Sequence, residues 1–220
     1  CSYATIRIRK SLAVNFICAL IFTLGLFIFC RSLPRPFLAL TAAIPYMVIV
    51  VAAGYSRQAV ALGLIMIGLV AISRERNFLF YVMVIFAATF HKTALIMLAI
   101  SVLVTGKNKF LTFSIAAIIF YLAFSTFLSE GYGDLIEYYY QESYESSGAL
   151  IRILMLTLPS GLFLFFADRF EFSRTLNSLW KWISIASLGL LILLFIIDAS
   201  TAIDRIGLYL LPIQLLVFFL

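Results

Sequence analysis

Charge is scarce in these 220 residues. Asp, Glu, Lys and Arg together make up 12%, about half the share found in soluble domains. A soluble fold needs far more polar surface than that. Cysteine is limited to Cys1, Cys18 and Cys30, an odd number. Along one helix Cys18 and Cys30 would stand about 18 Å apart at ~1.5 Å per residue, beyond disulfide reach. They read as small apolar helix residues. No Cys-x-x-Cys pair or Cys/His cluster suggests a metal, and no cofactor is expected. Gly-rich phosphate loops, Asp-x-Asp pairs and a serine triad are also missing. The net charge is +6, yet no long basic run exists. The cations sit singly or in pairs between apolar stretches, where membrane anchoring accounts for them. That excludes nucleic acid as a partner.

What the chain has is apolar length. Hydrophobic residues reach 64%. A spanning helix takes about 20 mostly apolar residues, and runs of suitable character cover 12–30, 37–53, 58–72, 78–104, 110–128, 150–167, 179–197 and 206–220. The first is too long for a signal peptide and lacks a cleavage pattern. The expectation is an all-α, polytopic bundle of about 7–8 membrane segments, with the lipid bilayer around it. Residues 1–220 read as a single integral membrane domain. Because the chain opens at Cys1 and stops inside an apolar run, it reads as a fragment of a longer protein.

The run 78–104 carries His91 and Lys92 near its middle. As one straight helix it would set an ammonium near the bilayer centre, at about 2.5–3.5 kcal/mol on insertion scales. A break at His91-Lys92 avoids that cost, since broken helices are tolerated where they line a water-filled cavity. The segment 131–148 holds Asp134, Glu137, Glu142 and Glu145 without Lys or Arg and is placed outside. Arg57, His91, Lys92, Arg152 and Arg205 then come to the outer face. Arg7, Arg9 and Lys10 would also lie outside, against the positive-inside tendency.

Ionisable groups at membrane depth are functional candidates because each needs a partner or solvent. Arg57 follows Gly54-Tyr55-Ser56 and opens a helix, the unfavourable end for a cation in dipole terms. A bound anion would relieve that conflict; a snorkelling interfacial Arg is the plainer reading. His91 suits general-base work near neutral pH, and Lys92 beside it would attract an anion. Arg152 sits two residues into a span, and Asp204-Arg205 opens the last run. Arg205, Tyr209 and Pro212 share one helix face. Tyr132, Tyr138, Tyr139, Tyr140 and Tyr144 enrich the acidic loop, either to stack on sugars or as an aromatic belt. Several arginines with few acids suit a polyanion, because the guanidinium fork matches phosphate oxygens.

In order, Leu33-Pro34-Arg35-Pro36-Phe37-Leu38-Ala39-Leu40, Gly54-Tyr55-Ser56-Arg57-Gln58-Ala59 and Phe90-His91-Lys92-Thr93-Ala94 resemble the EpsG family of Wzy-like bacterial polysaccharide polymerases. Ser147-Gly148-Ala149-Leu150-Ile151-Arg152 and Asp204-Arg205-Ile206-Gly207-Leu208-Tyr209, followed by Pro212 and Gln214, resemble its later blocks. The resemblance implies an enzyme of the bacterial inner membrane that joins undecaprenyl-pyrophosphate-linked repeat units at the outer face. It implies substrate-binding roles for Arg57, Gln58, Lys92, Arg152, Arg205 and Tyr209, with His91 or Asp204 as catalytic base. A chain-length regulator and other polysaccharide assembly proteins are the implied partners. An O-antigen ligase or another polyprenyl-phosphate-sugar glycosyltransferase would need the same cations. A lipid-linked sugar flippase would too, but would carry inverted repeats, and none is visible.

Overall fold

A computed structural model of the chain describes residues 2–105, 114, 118, 121, 148–170, 172–196 and 200–218, with side chains from residue 12 onward except at 103 and 105. The apolar run 110–128 and the acidic, Tyr-rich segment therefore lie almost wholly outside the described residues. So do the side chains of Arg7, Arg9 and Lys10. Every described element is helical: α1 (Ser2–Arg31), α2 (Pro36–Ala43), a π-helix (Ile44–Ala52), α3 (Ser56–Ser73) and α4 (Asn77–Phe90). There follow a 3-10 turn (Lys92–Leu95), α5 (Ile96–Thr105), α6 (Ala149–Phe166), α7 (Arg174–Ile196), α8 (Ser200–Gly207) and α9 (Pro212–Val217).

Four of these stretches are long and apolar enough to cross a membrane: Leu12–Arg31, Ser56–Ser73, Ala149–Arg169 and Arg174–Ile196. This corrects the expected 7–8 segments. Apolar composition had marked each run, but backbone interruptions shorten several of them. Pro45 has no N–H for the helical ladder, and α2 widens there into the π-helix, leaving Pro36–Ala52 short of a full span. The run 78–104 is divided at His91, whose backbone is extended (φ −152°, ψ 113°), into α4 and Lys92–Val102. Within the run 206–220, the described residues comprise the end of α8, a 3-10 turn (Leu208–Leu210) and α9.

The chain forms two compact units, Cys1–His91 and Lys92–Leu220. In the first, α3 is the centre. Buried positions make up 78% of its span, against 28% for α1, and they run almost unbroken from Gln58 to Ile72. A helix apolar on all sides needs neighbours on all sides. On one side, Phe22, Leu26, Phe29 and Cys30 of α1 recur at helical spacing and are buried. The two backbones meet there. A Cβ on Gly25 would lie 2.6 Å from the Gly63 Cα, and one on Gly63 would lie 2.8 Å from the Phe22 Cα. With lipid as solvent there is little hydrophobic drive between helices, so close approach at small residues supplies the packing. On the other side α4 seats Phe80 against Gly68.

In the second unit, α6 and α7 pair along their length, α5 packs on α7, and α8 with α9 lies against α6. Only 39% and 33% of the α6 and α7 spans are buried, so each keeps an outward apolar face for lipid. Ser160, Ser184 and Ser187 are buried and donate to the carbonyls four residues back at 2.7–2.8 Å. Each of these three hydroxyls is thereby satisfied within an apolar interior. The α6–α7 connection is pinned by Phe170, whose ring lies 5.2 Å from both Phe163 and Phe172.

Candidate functional site

The best-defined polar arrangement lies in the second unit, where α6 begins beside α8. Gly148 precedes α6 at φ +110°, a conformation that side chains with a Cβ resist. The turn it makes starts the helix, and the Arg152 N–H donates to the Gly148 carbonyl at 3.1 Å. Arg152 therefore sits in the first turn of α6, where the dipole disfavours a cation. A carboxylate compensates: Arg152 Nε lies 3.1 Å from Asp204 Oδ1, with the two side chains only 18% and 9% exposed. Asp204 belongs to α8, so the ion pair joins two helices through residues 52 apart in sequence.

Several features make this more than a surface pair. Asp204 stands outside the four spanning helices, and burial pushes its carboxyl above the ordinary range. The nearby Arg152 and Arg205 guanidiniums pull it back. Arg205 is the next residue on α8. The 3-10 turn that carries Lys92 also packs on α8, with Lys92 itself exposed and Thr93 buried. Three cations and one carboxylate are thus carried by elements that touch α8. Asp204 sits on the Nε side of the Arg152 guanidinium, whose other donors are on its two Nη nitrogens. Such a group is suited to an anion with several oxygens. Tyr209 follows on the 3-10 turn and is fully buried. Among the described residues no three His, Cys, Asp or Glu side chains gather as a metal site.

The remaining expected residues belong to the first unit. Arg57 is the second residue of α3 and is exposed; Gln58 beside it is buried at 3% exposure. Tyr55 is the N-cap, its carbonyl accepting from the Ala59 N–H at 2.8 Å, and the first turn of α3 has no acidic residue. His91 caps α4 and is half-buried, its N–H donating to the Ala87 carbonyl at 3.0 Å.

Two features escaped the sequence reading. Asp204 adjoins Arg205 in sequence, and the structure also brings Arg152 to it. The signal was present as two opposite charges that each open an apolar run. The second is a groove beside Gln214, which the resemblance marked only as part of a motif.

Long apolar helices with the partly buried Arg152–Asp204 pair at the start of one of them define the class, a polytopic membrane protein. The family model described as the EpsG family matches residues 11–220, and the chain belongs to that family. It is a Wzy-like polymerase family, associated with glycosyltransferase activity. No curated protein and no solved structure matched the chain.

Proposed function

We propose that this protein is a polysaccharide polymerase of the bacterial inner membrane, joining repeat units carried on undecaprenyl pyrophosphate at the outer face. The observation that carries the reading is the buried Arg152–Asp204 pair with Arg205 beside it, in a chain of this family. A hydroxyl of one repeat unit attacks the anomeric carbon of the chain held on the carrier. The bond from that carbon to the pyrophosphate oxygen breaks, and the electron pair leaves with the lipid pyrophosphate. Arg152 and Arg205 stabilise the charge that grows on this leaving group, with Lys92 as an auxiliary cation. Such preorganised donors are worth about 10²–10³ in kcat each.

Arg57 and Gln58, at the amino end of α3, are assigned to substrate binding from the family motif they occupy. The buried Tyr209 supports the segment that follows Arg205. The acceptor proton passes to His91 or to Asp204. Burial raises the Asp204 carboxyl and so makes its carboxylate a stronger base, while an imidazole is the side chain most often used as a general base. The pH–rate profiles of His91→Gln and Asp204→Asn separate them, because only the true base removes its limb.

The test is purified protein with a synthetic lipid-linked repeat unit and no membrane potential. A ladder of longer chains on the carrier is expected. Transfer of a finished chain to a different acceptor would indicate a ligase, and movement of the lipid without bond formation would indicate a flippase.

A further inference from the structure

The ion pair does not stand alone on its helices. From Arg152 and Asp204, α6 and the α8–α9 segment run side by side in the same direction. Arg152 meets Asp204, and Gly207 next meets the side chains of Ile153 and Leu156. The two then part around a groove of about 380 Å³, lined by Leu158, Pro159 and Leu162 from α6, Gln214 and Val217 from α9 and Phe218 just after it. At ~1.5 Å per residue the groove's α6 wall lies roughly 9–15 Å along the helix from Arg152.

Its polarity is graded. Gln214 enters the wall at the end nearer the ion pair and is 7% exposed, with its Oε1 buried and without a hydrogen-bond partner. Met155 borders the same end, and its carbonyl faces Pro159, which has no N–H to give it. Beyond them the lining is apolar, with Leu158, Leu162 and Phe218 at 66%, 48% and 53% exposure. A groove of this size is within the range of ligand pockets. Cations, then a buried amide oxygen that a hydrated head group can serve through water, then an apolar trough, form a sequence that matches an amphiphile lying along α6.

We propose that this groove holds the first isoprene units of the lipid carrier whose pyrophosphate is bound at Arg152 and Arg205. The inference rests on the reading of those arginines given under the proposed function. The groove lets the enzyme grip the carrier by its methyl-branched, kinked chain as well as by its charge, so a soluble nucleotide sugar with the same diphosphate would be refused.

The experiment is equilibrium binding of radiolabelled undecaprenyl pyrophosphate and of dimethylallyl pyrophosphate, which keeps the head but a single isoprene unit. The protein is held in phosphatidylcholine nanodiscs. Leu158→Trp and Leu162→Trp fill the groove from exposed positions, so neither disturbs a packed core. Each is expected to weaken undecaprenyl pyrophosphate about tenfold and to leave dimethylallyl pyrophosphate unchanged. A diazirine on the second or third isoprene unit should label peptides spanning Leu158–Leu162 or Gln214–Phe218 in the unaltered protein. If both Trp variants bind the long chain normally and the label falls elsewhere, while Arg152→Ala loses both ligands, the groove assignment is overturned and the head-group site stands. If Arg152→Ala and Arg205→Ala keep full binding of both ligands, the head-group reading fails and takes this inference with it. Equal competition by phosphatidylglycerol would make the groove a general lipid contact and would also overturn the proposal.

Discussion

Removing one partner of the Arg152–Asp204 pair should cost at least as much as removing both. At 3.1 Å and an effective dielectric near 20, two unit charges attract by about 5 kcal/mol. Desolvation opposes much of this, since the side chains are 18% and 9% exposed. Asp204→Leu would strand the Arg152 guanidinium and Arg152→Met would strand the carboxylate, each at about 3–5 kcal/mol. The double substitution removes the desolvation penalty together with the attraction. It should cost no more than either single change, giving a coupling energy of at least ~2 kcal/mol. Arg205, which also bears on Asp204, moderates the loss in Arg152→Met and makes that the milder single variant. Reversible denaturation of the purified protein in mixed micelles measures all four corners of the cycle. Additivity within about 0.5 kcal/mol would refute the idea that the pair is a buried, mutually dependent unit.

Three further outcomes follow from the packing and the site. Gly63→Leu should part α1 from α3, because the added atoms meet the Phe22 backbone, which cannot rotate away. A loss of about 1–3 kcal/mol is expected, read by thermal unfolding in detergent. Gly148→Ala should lose roughly 1 kcal/mol from strain at φ +110° and lower elongation by misplacing the first turn of α6. Arg205→Lys should recover only a small part of the elongation lost in Arg205→Ala, because an ammonium lacks the planar fork; product length on polyacrylamide gels reports it.

Helical class and membrane character were legible because they depend on composition and run length, which lipid solvation imposes directly. The number of full spans was not, because hydropathy records which residues are apolar and not where the ladder breaks. Pro45 and Pro212 each sit inside apolar runs, and hydropathy does not register their effect on the backbone. The helix boundary at His91 was visible because charge at that depth has a cost. The α1–α3 crossing was hidden, since Gly25 and Gly63 carry no chemistry and their meeting depends on which faces turn together. The cluster was half visible. Arg152, Asp204 and Arg205 stood out as ions at the edges of apolar runs, but the pairing of Arg152 with Asp204 is a contact between distant helices that no local spacing encodes.

The central claim is that Arg152 and Arg205 act on the departing pyrophosphate and not merely on the stability of the helices. Single-turnover release of undecaprenyl pyrophosphate from a synthetic donor, followed for wild type, Arg152→Ala and Arg205→Ala at matched folded protein, tests it most directly. The account predicts one lipid pyrophosphate released per glycosidic bond in the wild type and a release rate at least about 10²-fold slower in each variant. Variants that stay folded and release the lipid at the wild-type rate would contradict it.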